Sequence, residues 1–229
     1  MLKIKVVFLF VVGLIFILGI VSQRHALACE LIEYSSYSAI APDVYVSPLF
    51  KDNENEQLLS LVRAGKSRVD NTFGNTISTP KIIIAATNDE ASEFGSNAYG
   101  RAHLTPLGQC LVFGPKGHNI DVIAHEYTHA EVHYRVGWFE HYLNIPIWFN
   151  EGVALLVDYR KPYLIANIEL SETEVQAVKA KGLNFFDGKN VIKNYQAARI
   201  AIDSLDKSSL YNDLEKIKEG KSFKEVFTL

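Results

Sequence analysis

Hydrophobic positions divide the chain into a leading apolar run, a strand-rich part and a helical part. The leading run covers residues 6–21, and shorter runs at 82–86 and 111–113 predict buried strands. Residues 98–104 are a candidate third strand. Apolar residues recur at helical spacing farther along, which predicts helices over 53–69, 120–136, 150–159, 171–181, 194–205 and 209–218.

This order of elements predicts an α+β domain over residues 29–229, in which a small mixed sheet (29–116) packs on a mainly helical part (117–229). Hydrophobic residues make up 48% of the 229 residues and charged residues 21%, which is typical of a globular chain and excludes a disordered one. The net charge is −3 with no basic stripe, so nucleic acid is excluded as a partner.

The first 28 residues are predicted to direct export rather than to join the fold. Lys3 and Lys5 precede the apolar run 6–21, and Ala-Leu-Ala at 26–28 is a candidate cleavage site of a secretory signal. The run is short for a spanning helix, which needs about 20 residues. Flanking residues nevertheless allow a signal anchor, and lipid attachment at Cys29 is a third option. In each case the domain is secreted or periplasmic and meets a membrane only through this segment.

The chain has two cysteines, Cys29 and Cys110. An oxidising compartment would permit a disulfide between them. The alternative is that Cys110, within an apolar run, is a buried residue with a free thiol.

The stretch His125-Glu126-Tyr127-Thr128-His129 carries the strongest chemical signal. Residues four apart lie nearly above one another on a helix, so both imidazoles can bind one metal ion through ring nitrogens. Glu126 lies about 100° around the helix from His125, where it can accept a proton from an attacking water. His133 repeats the four-residue step, but three such histidines span about 12 Å and cannot all reach one ion.

A second motif at 146–154 begins 17 residues after His129. It places Glu151 at the start of the predicted helix 150–159, which a preceding turn can fold back against the first. A His-His-Glu site would leave the fourth position of a tetrahedral metal open. Asp158 follows seven residues later on the same predicted helix face, where it can accept a hydrogen bond from a ligand imidazole and fix its tautomer.

Together these motifs resemble those of the gluzincin metallopeptidases, the superfamily of thermolysin and the aminopeptidase N family. His-Glu-x-x-His is followed by Trp-Phe-Asn-Glu-Gly-Val-Ala at 148–154, and Asn-Tyr-Gln-Ala-Ala-Arg at 194–199 is similar to a helix start of the aminopeptidase N group. The resemblance runs from Tyr99 to the C-terminus. The 21 residues between His129 and Glu151 slightly exceed the family interval, which costs little in loop-closure entropy. The Gly-Ala-Met-Glu-Asn block that binds a free amino terminus is missing, so an endopeptidase is expected.

The resemblance implies a hydrolase that cleaves peptide bonds of a peptide or protein substrate with one Zn²⁺ ion. The implied zinc ligands are His125, His129 and Glu151, and Glu126 is the general base. Tyr195 is implied to stabilise the tetrahedral oxyanion. The oligomeric state is not indicated.

Other interpretations of these residues stay open. The two histidines can be polar residues on an exposed helix face, and Glu151 can be an acid at a helix N-terminus. Asp158 can be a solvated acid, and Tyr195 can be an ordinary core or surface tyrosine. At the level of function, the alternatives are an exported zinc-binding interaction protein without catalysis and an amidase that acts on cell-wall peptides.

Overall fold

The computed structural model describes residues 23–106 and 108–228. Residues 1–22 of the predicted leader lie outside the described residues, and its candidate cleavage site at 26–28 lies within helix α1 (Arg24–Glu30). Among the helices that the structure describes, none combines the length and the apolar character needed to cross a membrane.

Within the described residues, five strands form one mixed sheet in the order β1-β2-β3-β5-β4. The strands are β1 (Ser38–Ala41), β2 (Val44–Val46), β3 (Lys81–Ile84), β4 (Gly100–Leu104) and β5 (Gln109–Phe113). β2, β3 and β5 are parallel neighbours, whereas β1 and β4 pair antiparallel at the two edges. The three predicted strands are confirmed with shifted ends. The hairpin β1–β2 was not predicted, because β1 lacks the buried apolar run that marks β3 and the three residues of β2 are too few to show a pattern.

Strand β3 is apolar from Ile82 to Ile84, because both of its faces are covered there. Ile82 and Ile84 belong to the main core, which the helices share, whereas Ile83 packs on the other face beside Cys29 of α1. Cys29 and Cys110 form a disulfide that joins α1 to β5. Of the two sequence alternatives for these cysteines, the structure therefore shows the disulfide.

The remaining helices confirm the α+β class. They are α2 (Asn55–Phe73), α3 (Asn88–Glu93), α4 (Ile120–Val136), α5 (Trp138–Asn144), α6 (Ile147–Ala154), α7 (Glu172–Lys179), α8 (Val191–Ala201), α9 (Leu210–Lys218) and α10 (Phe223–Val226). α4 has the predicted ends, and α2, α7, α8 and α9 differ from the prediction at one or both ends.

The predicted helix 150–159 is wrong at both ends. Helix α6 begins directly after Pro146, whose extended backbone fits an N-cap position, and it ends at Ala154. The four residues 155–158 are each at most 3% exposed. Residues 155–158 are not helical, and four consecutive buried residues exceed what one buried face of a surface helix would give. The chain therefore passes through the core here in a non-helical conformation.

Helix α4 is fixed on two sides by the rest of the fold. A Cβ atom on Gly65 of α2 would lie 2.4 Å from Cγ2 of Ile123, so glycine is needed for the close approach of these helices. On another side Arg135 donates hydrogen bonds to Glu131 of its own helix at 2.6 Å and to Glu215 of α9 at 2.7 Å. The helix that carries the metal motif is therefore rigidly placed.

Candidate metal centre

Helix α4 presents His125 and His129 to one side, as the four-residue spacing predicts. Their ring centroids lie 4.8 Å apart, and both side chains are buried together with Glu126. The helix begins where the side chain of Asn119 accepts a hydrogen bond from the Val122 backbone N–H at 3.0 Å. Burial shows that the alternative of an exposed polar helix face is wrong.

Glu151 of α6 brings a carboxylate to both imidazoles. Its Oε2 atom lies 3.4 Å from Nε2 of His125 and 3.5 Å from Nε2 of His129. Ligand atoms about 2.1 Å from a tetrahedral metal ion lie about 3.4 Å from one another. Glu151 is the fifth residue of α6, so its expected place at a helix start is wrong, and so is the alternative of an N-terminal helix acid.

These three side chains fit a metal ion. All their ligand atoms lie within 4.8 Å of one another. Glu151 Oε2 is buried and has no hydrogen-bond partner among the described residues. A buried carboxylate oxygen without a partner is costly, and a cation held between the three groups would satisfy it. The buried group His125, His129 and Glu151 is therefore able to bind a metal ion.

The charges of the group depend on one another. Burial favours the neutral form of His125, but contacts with the carboxylates of Asp158 and Glu151 outweigh it and raise the pKa of His125 to about 10. Burial likewise favours a neutral Glu151, but the imidazoles of His129 and His125 lower the pKa of Glu151 to about 2. Without a metal, a proton on His125 thus offsets the buried carboxylate.

Asp158 contacts His125 from the side opposite to Glu151. Its Oδ2 atom lies 3.4 Å from Nδ1 of His125, and its side chain is fully buried. Burial alone would raise the pKa of Asp158, but hydrogen bonds from Arg160 and the contact with His125 lower it to about 2. The predicted contact with a ligand imidazole is present. The prediction that Asp158 and Glu151 lie on the same face of one helix is wrong, because α6 ends before Asp158.

Three residues that the motifs did not indicate hold Asp158 or the main chain next to it. Arg160 binds the Asp158 carboxylate, whereas Arg68 and Asp121 bind the backbone on either side, at the Val157 carbonyl and the Tyr159 N–H. Arg160 donates from Nε to both carboxylate oxygens, at 2.8 and 3.0 Å, and from Nη2 to Oδ2. Arg68 of α2 donates to the Val157 carbonyl at 3.0 Å and to Asp121 at 2.5 Å. In the sequence, only Arg160 could have been identified as a partner of Asp158, because it is a basic residue two positions after this acid. Arg68 and Asp121 could not have been identified, since they approach through the tertiary fold.

Tyr195 of α8 lies beside the metal group, which consists of the buried side chains of His125, His129 and Glu151. Its ring centroid is 6.4 Å from that of His125. Burial and the nearby carboxylates of Glu151 and Glu126 raise the pKa of Tyr195, so its hydroxyl stays protonated and can donate a hydrogen bond. α8 comes this close because Gly152 of α6 has no side chain: a Cβ there would lie 2.7 Å from the Ala198 carbonyl oxygen.

A cleft runs between α4 and the edge strand β4. It consists of two adjoining cavities of about 460 and 470 Å³, and His125, Glu126 and Tyr195 line both. β4 contributes Gly100 to both and Ala102 to the second. The predicted third strand thus lies at the sheet edge beside the metal group.

His133 lies apart from the metal group. Its side chain is buried, its Nδ1 lies 2.9 Å from Nε2 of Gln109, and its ring packs against His141 with centroids 5.2 Å apart. Within the described residues, the group that could hold a metal ion consists of His125, His129 and Glu151, without His133.

No protein-family model matches this chain, no curated protein is detectably similar to it, and no solved structure matches its fold.

Proposed function

We propose that the protein is a zinc metallopeptidase of the gluzincin type that hydrolyses internal peptide bonds. The observation that carries the proposal is the buried His125, His129 and Glu151 group, with Glu126 next to it at the wall of an open cleft. Two imidazoles and one carboxylate with a free fourth position form a ligand set typical of hydrolytic zinc sites. Bound zinc would supply a Lewis acid that activates water and polarises the scissile carbonyl.

Glu126 is the general base of the proposed reaction. It follows the ligand His125 on α4 and lines both cavities of the cleft. From this position its carboxylate accepts a proton from the attacking water and then donates it to the leaving amine nitrogen. The same carboxylate therefore serves both steps of amide hydrolysis.

Tyr195 is the donor that stabilises negative charge on the carbonyl oxygen of the substrate. Its hydroxyl is protonated, since burial raises its pKa, and the residue lines both cavities of the cleft beside His125. A fixed donor at the developing oxyanion lowers the barrier without having to reorganise during the reaction.

Strand β4 is the proposed docking site of an extended peptide. It pairs with β5 on one side only, at the edge of the sheet, and its residues Gly100, Ala102 and Leu104 line the cleft. An extended chain can add to such an edge through main-chain hydrogen bonds. The scissile bond would then pass over the metal group.

We place the domain outside the cytoplasm. The disulfide between Cys29 and Cys110 forms and persists in oxidising compartments. The basic and apolar start of the chain, with Lys3, Lys5 and residues 6–21, supports the same location as a cleaved signal or an anchor.

A peptide library tests the proposal. The protein and its Glu126→Gln variant, both loaded with zinc, are incubated with peptides of diverse sequence, and cleavage is measured by mass spectrometry. Internal cleavage by the parent protein alone is expected, because the variant keeps the shape of the side chain and lacks the base. Zinc binding without cleavage by either protein would contradict a general peptidase and would favour a non-catalytic binding protein. Cleavage confined to added cell-wall peptides would favour the amidase.

A further inference from the structure

Arg160 presents a positive charge to the cavity next to the metal group. It lines the cavity of about 460 Å³ together with His125 and Glu126. Its partner Asp158 is fully buried, whereas the Arg160 side chain is 27% exposed. The ion pair therefore shows only its positive end to the cleft.

One nitrogen of this guanidinium is left for a ligand. Nε and Nη2 make the hydrogen bonds to Asp158, and Nη1 has no partner among the described residues. The rings of Tyr99 and Tyr163 lie 5.6 and 5.2 Å from the Arg160 Cζ atom and hold the group in place. Preorganised in this way, the guanidinium loses little side-chain entropy when it binds.

The surroundings favour an anion. Tyr99, which lines this cavity, has a second cation near its ring: Nζ of Lys116 lies 5.7 Å from the ring centre. Glu126 is the one acid that lines this cavity among the described residues, and it belongs to the reaction centre. Pro162 and Ile192 add apolar wall that suits the methylene groups of a side chain.

We propose that this cavity is a specificity pocket for a carboxylate of the substrate, so that the protein prefers peptides with an acidic group next to the scissile bond. The proposal rests on the peptidase function proposed above. The carboxylate can come from an aspartate or glutamate side chain or from a free C-terminus, since both offer the same group to Arg160. A hydrogen bond between ionised partners corresponds to a preference of about tenfold or more.

Paired peptides test this proposal. The best-cleaved library peptide is made with glutamate or glutamine at each position beside the cleaved bond, and each with a C-terminal carboxylate or amide. In at least one pair, kcat/KM should be at least about tenfold higher for the peptide with the carboxylate than for its neutral counterpart. Arg160→Gln should abolish this preference, whereas Arg63→Gln, which changes an exposed, ion-paired arginine of α2 that does not line the cleft, should keep it. Equal rates for acidic and neutral peptides would overturn the proposal. An equal loss on both kinds of peptide in Arg160→Gln would also overturn it, since Arg160 would then only support Asp158 or bind the peptide main chain.

A binding measurement separates failure of this proposal from failure of the peptidase function. If no peptide is cleaved, calorimetry on the zinc-loaded protein compares octa-alanine amides that carry one glutamate or one glutamine. Tighter binding of the glutamate peptide, lost in Arg160→Gln, would support the pocket in a non-catalytic protein. Equal affinity for both would overturn it.

Discussion

The Nδ1 atom of His125 lies 3.4 Å from Oδ2 of Asp158, although helix α6 ends four residues before this aspartate. The contact exists because the chain after α6 enters the core, where Arg68 holds the Val157 carbonyl and Arg160 holds the carboxylate. An acid at Nδ1 keeps the imidazole oriented, with Nε2 directed to the metal group.

Replacing Asp158 with asparagine should weaken zinc binding by about 10–100-fold, as is typical for loss of the partner of a ligand histidine. The affinity is measured by competition with a chelator. Asp203→Asn is a matched control, because Asp203 also pairs with an arginine, Arg199, but is exposed. Equal affinities of the Asp158 variant and the parent protein would contradict the role of the carboxylate.

His129→Ala should weaken zinc binding by more than this factor, since it removes a ligand rather than its support. Metal content is measured after dialysis against buffer without chelator, and circular dichroism checks the fold. His25→Ala changes a histidine of α1, which packs on the opposite face of the sheet, and should retain zinc. One full equivalent of zinc in His129→Ala would show that the ligands are assigned wrongly.

Zinc binding should release about one proton at neutral pH. The pKa of His125 in the metal-free protein is raised to about 10, so the imidazole is protonated and must lose this proton to become a ligand. The apparent affinity should therefore rise about tenfold per pH unit between neutral pH and that pKa and level off above it. Glu151 adds nothing to this dependence, because its pKa of about 2 leaves it ionised. Calorimetry in buffers of different ionisation enthalpy counts the protons, and a buffer-independent heat would contradict the prediction.

Tyr195→Phe should lower kcat on a cleaved peptide by about 10²–10³-fold, the usual effect of removing one oxyanion donor. KM and zinc content should change little, because the ring and its packing remain. Tyr142→Phe, at an 80% exposed tyrosine, serves as the control. An unchanged kcat would show that Tyr195 is only part of the cleft wall.

Replacing both Cys29 and Cys110 with serine should lower the free energy of unfolding by about 2–4 kcal/mol. The disulfide joins residues 81 positions apart, so it restricts a large loop of the unfolded chain. Denaturant unfolding of the oxidised protein and of the variant gives the difference. A reductant should lower the stability of the parent protein and leave the variant unaffected. Two free thiols in the protein isolated without reductant would contradict the disulfide.

Much of the metal motif was predictable from local sequence, because it depends on the helical period alone. His125 and His129 share a helix face at any position in a fold, and helix α4 has the predicted ends. The apolar run of β3 likewise predicted a strand covered on both faces. Helix α6 was less predictable, since the buried run after Ala154 looks the same in a helix and in non-helical core chain.

The sequence by itself determined the local chemistry of this protein: two imidazoles able to bind a metal ion and a neighbouring carboxylate on one helix, a candidate third ligand, and two cysteines able to pair. Only the tertiary structure decided that Glu151 lies within 3.5 Å of both imidazoles, that Asp158 reaches His125 by a non-helical route, and that Arg160 faces the cleft. The physical reason is that helix geometry fixes neighbours within one turn. Contacts between elements depend instead on how the chain turns between them and on which groups the core buries together.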